Sequence, residues 1–339
     1  MTAPLMRVED LAVYYPVRTG GVFIPKIKPL KAVDGVSFHI NPGETLGVVG
    51  ESGCGKSTLS RAILKFAKPH KGAIYWGDIN INELSARDMN ALRRDIQIVF
   101  QSPLASLNPR MTVGDVICEP LEVFETRLSK EERIARMRDI MQEVGLYPEM
   151  ANRFPNEFSG GQCQRISIAR AMILNPKLLI CDEAVSALDV SIKAQIINLL
   201  KKLQRETGIA ILFISHDLAI VRQISHRVMV MYLGKPMEVA PSSELFANPL
   251  HPYTKALLEA APYPDPVKER AKNITPLSSD LPSPMAPPSG CVFRTRCPIT
   301  KPNCISKEPS LDKARRDHFA ACHFVERNNS VEDETAAEV

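Results

Sequence analysis

The sequence predicts an α/β fold: a sheet built around a phosphate-binding loop, interrupted by a helical insertion and followed by a cysteine-bearing extension. Three observations carry this reading. The apolar run Leu46–Val49 leads straight into Gly50-x-x-x-x-Gly55-Lys56-Ser57 and then an apolar helix (Leu59, Ala62, Ile63, Leu64). Two more short apolar runs, Leu178–Cys181 and Ala210–Ile214, end on polar residues, as buried strands do where they meet a ligand. From Leu104 to about Phe158 the apolar spacing becomes helical.

The loop itself carries chemistry. Gly50, Gly53 and Gly55 let the backbone curl until successive amides face one anion. In this pattern the amides of Gly50, Glu51, Ser52, Gly53, Cys54, Gly55 and Thr58 cradle phosphates, Lys56 reaches the outer phosphate oxygens, and the Ser57 hydroxyl ligates Mg²⁺. The helix starting near Lys56 points its positive end the same way. Cys54 lies at that helix start, where a thiolate is expected to be favoured.

Before the loop, Val8–Tyr15 alternates like an edge strand and ends at Pro16. Tyr15 is either a plain strand aromatic or a surface for an adenine ring. Thr19–Lys28, broken by Gly20-Gly21 and Pro25, is expected to be an exposed loop, and Ala32–Ile40 a second strand. After the loop, Ile96–Phe100 is a short strand delivering Gln101, whose amide oxygen suits Mg²⁺ or simply water.

Phe158 and Ser159-Gly160-Gly161-Gln162 open an apolar helix. This is an ordinary N-cap or a second anion-binding terminus, which one nucleotide site alone would not need. Leu178–Cys181 delivers Asp182, placed to hold Mg²⁺ through water, and Glu183, placed to orient or deprotonate an attacking water. Ile192–Arg205 reads as an amphipathic helix, and Ala210–Ile214 delivers Ser215-His216-Asp217. His216 is a structural histidine or a γ-phosphate contact. Past Tyr232 the helix–strand alternation fades among prolines, with one helix expected over Tyr253–Ala261.

Composition narrows the rest. The 339 residues hold 42 Lys and Arg against 38 Asp and Glu, a net +4 spread along the chain that argues for no nucleic-acid face. No run approaches the roughly 18 apolar residues of a membrane span. The N-terminus lacks a signal-peptide core, so a reducing cytosol is expected. There, Cys291, Cys297, Cys304 and Cys322 favour metal over disulfides. Their spacing, Cys-x5-Cys-x6-Cys-x17-Cys, leaves an iron–sulfur cluster, Zn²⁺, and unligated thiols or disulfides all open.

The motifs together resemble the nucleotide-binding subunits of ABC transporters, from about Val8 to Val239. Gly50–Ser57 matches the Walker A motif, Gln101 the Q-loop, Ser159–Gln162 the signature, Leu178–Glu183 the Walker B motif, Ser186-Ala187-Leu188-Asp189 the D-loop and His216 the switch histidine. Gln101–Arg110, Asn248–Thr254, Leu281–Pro284 and Gly290-Cys291-x5-Cys297-Pro298 are similar to the oligopeptide/dipeptide importer subgroup, and within it to the "F" type of ATPase.

The resemblance implies a RecA-like P-loop NTPase core over 1–103 and 159–240, a helical subdomain over 104–158, a cysteine-bearing extension over 241–325 and a disordered tail over 326–339. It implies ATP and Mg²⁺, with the signature of one subunit closing on the ATP of another. The implied partners are a second, homologous ATPase, two integral-membrane permease subunits and an extracytoplasmic binding protein, with the chain at the cytoplasmic face of the inner membrane. It also tilts the cysteine set toward a [4Fe–4S] cluster, expected to tie together a segment too short for its own core. Cargo stays open among peptides, nickel, glutathione and murein peptides. A non-transport ABC ATPase fits less well, because there is one P-loop and no long heptad run. The chain departs from the pattern at Ala184, where proline is usual, and at Phe158 and Cys163.

Overall fold

The computed structural model describes residues 3–19, 26–261 and 280–326. In chain order the strands are β1 (Met6–Thr19), β2 (Lys26–Ile40), β3 (Thr45–Val49), β4 (Lys71–Trp76), β5 (Ile79–Asn80), β6 (Ile96–Val99), β7 (Leu178–Asp182), β8 (Ala210–Ile214), β9 (Arg227–Tyr232), β10 (Lys235–Pro241), β11 (Asp312–Arg315) and β12 (His318–Ala320). They form an antiparallel sheet ordered β2-β1-β4-β5 and an eight-stranded sheet ordered β11-β12-β10-β9-β3-β8-β7-β6. In the larger sheet β9, β3, β8, β7 and β6 are mutually parallel, and β10, β12 and β11 continue it antiparallel.

The large sheet is covered on both faces, which is why its central strands read as unbroken apolar runs. Alternation still assigns each side chain to one face. Leu179, Cys181, Ile211 and Phe213 point into one core, among Ile166, Ala169, Ile196 and Leu200. Leu178, Ile180, Leu212 and Ile214 point into the other, among Leu59 and Ile63 of the post-loop helix and Val13, Val36 and Ile74 of the antiparallel sheet. The phosphate-binding helix Lys56–Ile63 is thereby clamped between two sheets.

β1 runs past Pro16, where the sequence ended it. Pro16 pairs with Pro29 of β2, so neither position must supply an N–H to the ladder. Of the loop expected at Thr19–Lys28, Lys26–Lys28 belong to β2, and residues 20–25 lie outside the described residues.

Between β6 and β7 the chain is helical. Helices Val113–Phe124 and Lys130–Glu143 start at Thr112 and Ser129, each accepting from the amide three residues on, and Ser129 closes a capping box with Glu132. Their apolar faces, including Val116, Ile117, Leu121, Ile140 and Met141, join the same core as the helix Gly160–Met172.

The largest departure from the sequence reading is the C-terminal part. β10 forms despite Pro236 and Pro241, and β12 pairs with it through Glu238↔Ala320 and Val239↔Phe319. Cys291, Val292, Phe293 and Cys304 are buried in the main core rather than in a small core of their own. Phe293 is fully buried against Tyr232 and Tyr253, with ring centroids 5.3 Å from each. The segment reads in sequence as too short for a core of its own; strand pairing and burial in the main core hold it. The expected tail beyond Glu326 lies outside the described residues.

Candidate active site

Four parallel strands end side by side, and each delivers one piece of chemistry. β3 leads into Gly50–Thr58, β7 ends in Asp182-Glu183, β6 is followed by Gln101 and β8 by His216. The register aligns them, with Val48 and Asp182 both beside Ile214. Ligands bind at this carboxyl edge of α/β sheets.

Ser57 Oγ donates to Asp182 Oδ1 at 2.9 Å, and Ser60 Oγ, one turn along the same helix, to Oδ2 at 3.0 Å. The Asp182 carboxylate and the Ser57 hydroxyl are therefore adjacent oxygens of the kind Mg²⁺ takes. Ser60 was missed from the sequence; its i,i+3 spacing from Ser57 was the available signal. Lys56 Nζ donates to the carbonyls of Gly50 (2.8 Å) and Glu51 (3.0 Å), arching over the loop. The loop's glycines divide by role. A Cβ on Gly50 would strike the Met231 carbonyl and one on Gly55 the Ala32 carbonyl, both at positive φ, whereas Gly53 faces open space.

A second group meets on the other carboxylate. Gln101 Nε2 donates to Glu183 Oε2 at 2.8 Å, and His216 Nδ1 lies 3.5 Å from Glu183 Oε1. Glu183 takes φ +50°, unusual for a residue with a side chain. Its amide is pinned to the Ile214 carbonyl at 2.9 Å, and its own carbonyl accepts from Ser186. The unusual Ala184 is buried behind it and leaves the carboxylate in the cluster. Gln101 bonds Glu183 here, and among the described residues no hydrogen bond joins it to Ser57.

Ser159 caps the helix Gly160–Met172 in a capping box with Gln162: the Ser159 amide donates to Gln162 Oε1 at 3.0 Å and the Gln162 amide to Ser159 Oγ at 3.4 Å. Ser159 and Gly160 are exposed, and a Cβ on Gly161 would press into Ile192. Among the described residues no hydrogen bond links this terminus to Gly50–Ser57. Tyr15 lies half-buried on β1, against the core beneath the loop, paired with Leu30.

Two expectations change. Cys54 is buried, and burial pushes its thiol up against the pull of Lys56, whose Nζ is 3.8 Å from Sγ. The thiolate favoured by the helix start is thus disfavoured by desolvation. At the C-terminus the four thiols are near neighbours. Burial, then the charges of the other three, push Cys291 up to about 11. Yet among the described residues no group of three His, Cys, Asp or Glu side chains sits as a metal would require. These side chains thus do not stand in a ready-made joint metal site.

Residues 33–186 match the family model described as ABC transporter, and residues 237–304 that of the oligopeptide/dipeptide transporter C-terminal region. The chain is 54% identical over 323 residues to the oligopeptide transport ATP-binding protein OppF of Salmonella typhimurium, covering 95% of this chain and 96% of that one. The chain belongs to the ABC transporter ATPase family. As an ABC ATPase it is also 47% identical over 329 residues to the putative oligopeptide transport ATP-binding protein YkfD of Bacillus subtilis, covering 97% of this chain and 98% of that one. Among solved structures, the ATP-binding cassette MJ0796 bound to ADP and Pi superposes with a TM-score of 0.62 at 31% identity, over 70% of this chain and 98% of that one. CbiO1 of Clostridium perfringens gives 0.62 at 28%, over 73% and 92%. No helix among the described residues is long and apolar enough to cross a membrane.

Proposed function

We propose that this ABC ATPase hydrolyses ATP to power import of di- and oligopeptides. The observation that carries the reading is the alignment of the Ser57–Asp182 pair and the Gln101–Glu183–His216 cluster at one sheet edge. The oligopeptide/dipeptide C-terminal region supports the cargo class. The amides of Gly50–Thr58 and the Lys56 ammonium bind the phosphates, and Tyr15 supports the adenine. Ser57, Gln101 and Asp182 would hold Mg²⁺, and the ion bound there would screen phosphate charge. Glu183 orients and deprotonates the attacking water, and His216 holds Glu183 and contacts the γ-phosphate.

Ser159, Gly160, Gly161 and Gln162 serve the ATP of a facing, homologous ATPase, which explains an exposed helix terminus with no bond to its own loop. The membrane permease subunits, two in the transporter, dock beside Gln101 and the helices of 104–158 at the inner face of the membrane, and an extracytoplasmic binding protein selects the peptide. ATP then favours the closed pair through its differential affinity for it. The test is Glu183→Gln in membrane vesicles carrying the whole transporter. Nucleotide binding should persist while ATPase rate and peptide uptake fall by about 10²–10⁴. Normal turnover in this variant overturns the assignment.

The finer reading of the extension is that Cys291, Cys297, Cys304 and Cys322 hold a [4Fe–4S] cluster, with Zn²⁺ as runner-up. Two features support it. The amides of Phe293, Ile299 and Phe324 each donate to the thiol two residues before them, the arrangement that steadies a metal-bound thiolate. The four thiols also feel one another's charge. The four thiols would have to close up to share one cluster. Colour and iron content of an anaerobic preparation test it.

A further inference from the structure

Glu51 occupies an awkward place. It is the second residue of a loop that receives phosphates, its side chain is only 25% exposed, and a bare carboxylate there would repel the incoming nucleotide. Lys56 makes no ion pair with it: its ammonium donates to the Gly50 and Glu51 carbonyls. The neutralising charge comes from 245 residues away. Arg296 Nη1 lies 2.9 Å from both Glu51 carboxylate oxygens, and the Arg296 side chain is 9% exposed. The Glu51 amide is taken as well, donating to Tyr253 Oη at 3.0 Å.

Arg296 is itself firmly aimed. It closes a turn in which the Arg294 amide donates to the Cys291 carbonyl (3.1 Å) and the Arg296 amide to the Phe293 carbonyl (3.0 Å). Phe293 at the centre of that turn is the fully buried ring wedged between Tyr232 and Tyr253. The guanidinium lies 5.8 Å from the Tyr232 ring centroid. Main-chain and side-chain groups of Glu51 are thus both held by residues beyond the ATPase core.

We infer that Arg296 is a positioning residue for the phosphate-binding loop, through which the C-terminal extension sets how tightly this chain holds ATP. It acts by cancelling the Glu51 charge and fixing the first turn of the loop, without touching the nucleotide. The inference rests on the reading of Gly50–Ser57 as the ATP site.

The experiment is a fluorescence titration of the full chain with MANT-ATP and Mg²⁺, each variant first checked by thermal melting. Arg296→Gln should weaken binding about tenfold, the scale of one uncompensated charge pair. Arg296→Lys, which restores the charge but not the planar guanidinium, should recover most of it. In the Glu51→Gln background the same Arg296→Gln change should cost less than about threefold, because no carboxylate is left to repel. If Arg296→Gln alone does not fold, Glu51→Gln should rescue it by removing the unpaired carboxylate, and a double variant that still fails to fold or to bind MANT-ATP overturns the inference. Binding by Arg296→Gln within about twofold of the parent, or losses that multiply in the double variant, overturns the inference. Lys56→Ala separates the two readings. If it binds MANT-ATP like the parent, the ATP-site assignment fails; if it loses binding while Arg296→Gln does not, only the role of Arg296 fails.

Discussion

Replacing Phe293 by alanine tests whether the C-terminal segment is part of the main core. The ring is fully buried, with Tyr232, Tyr253 and His251 at centroid distances of 5.3, 5.3 and 5.7 Å. Removing such a ring costs about 3–5 kcal/mol in transfer and cavity terms. Two of its neighbours sit on β9 and the helix Pro252–Ala260, elements fixed by the sheet, so the site cannot collapse and the upper half of that range is expected. An unfolding entropy of about 2.1 cal/mol/K per residue over 339 residues gives about 0.7 kcal/mol/K, so Tm should fall by about 6–7 °C. Urea unfolding followed by circular dichroism measures the free energy, and Ile305→Ala serves as control. Ile305 is in the same segment but 53% exposed, and should change stability by less than about 0.5 kcal/mol. A Phe293→Ala loss under about 1 kcal/mol would refute the integration of this segment into the core.

His251 supplies an acid-side prediction. Burial holds it down at about 4, against the pull of Glu238. The unfolded chain takes up a proton near pH 6.5 and the folded chain does not, so stability falls as pH drops from 6.5 to 4, by about 3 kcal/mol. Denaturant midpoints at pH 7.0 and 4.5 should show the fall, and His251→Asn should flatten it; an unchanged slope in that variant assigns the effect elsewhere. For the cysteine set, an anaerobic preparation should be brown and carry about four irons per chain, lost in Cys297→Ser. Stoichiometric zinc in a colourless sample would decide for the runner-up.

The parts legible in the sequence were those whose stability is local or whose chemistry demands particular residues. Leu46–Val49, Leu178–Cys181 and Ala210–Ile214 are bounded apolar runs, and their polar ends announced Lys56, Ser57, Asp182, Glu183 and His216. What escaped depends on distant partners. β4, Lys-Gly-Ala-Ile-Tyr-Trp, has no clean alternation and forms because β1 pairs with it. β10 carries two prolines and a charged residue at its centre, which argue against a strand. Glu238 is nonetheless fully buried, because it accepts from the amides of Leu250 and His251 and meets His318 at 2.7 Å. β12 is only three residues long, too short to signal itself. The Cys54 expectation failed for a related reason: the helix-start field was visible in sequence, whereas the burial that outweighs it was not.

The pairing of β12 with β10 also bears on how the chain comes off the ribosome. β10 lies beside β9 as soon as its short turn is made, but its outer row of amides and carbonyls stays bare until His318–Ala320 arrive, with His318 following Glu238 by 80 residues. During that interval the nascent ATPase presents an open strand edge, with a buried-type carboxylate still lacking its imidazole. Open edges recruit other chains. Ending the protein at residue 240, where the catalytic motifs are already complete, would make that transient exposure permanent. The ATPase and its extension are therefore one translational unit, sealed only by β12, the last strand among the described residues.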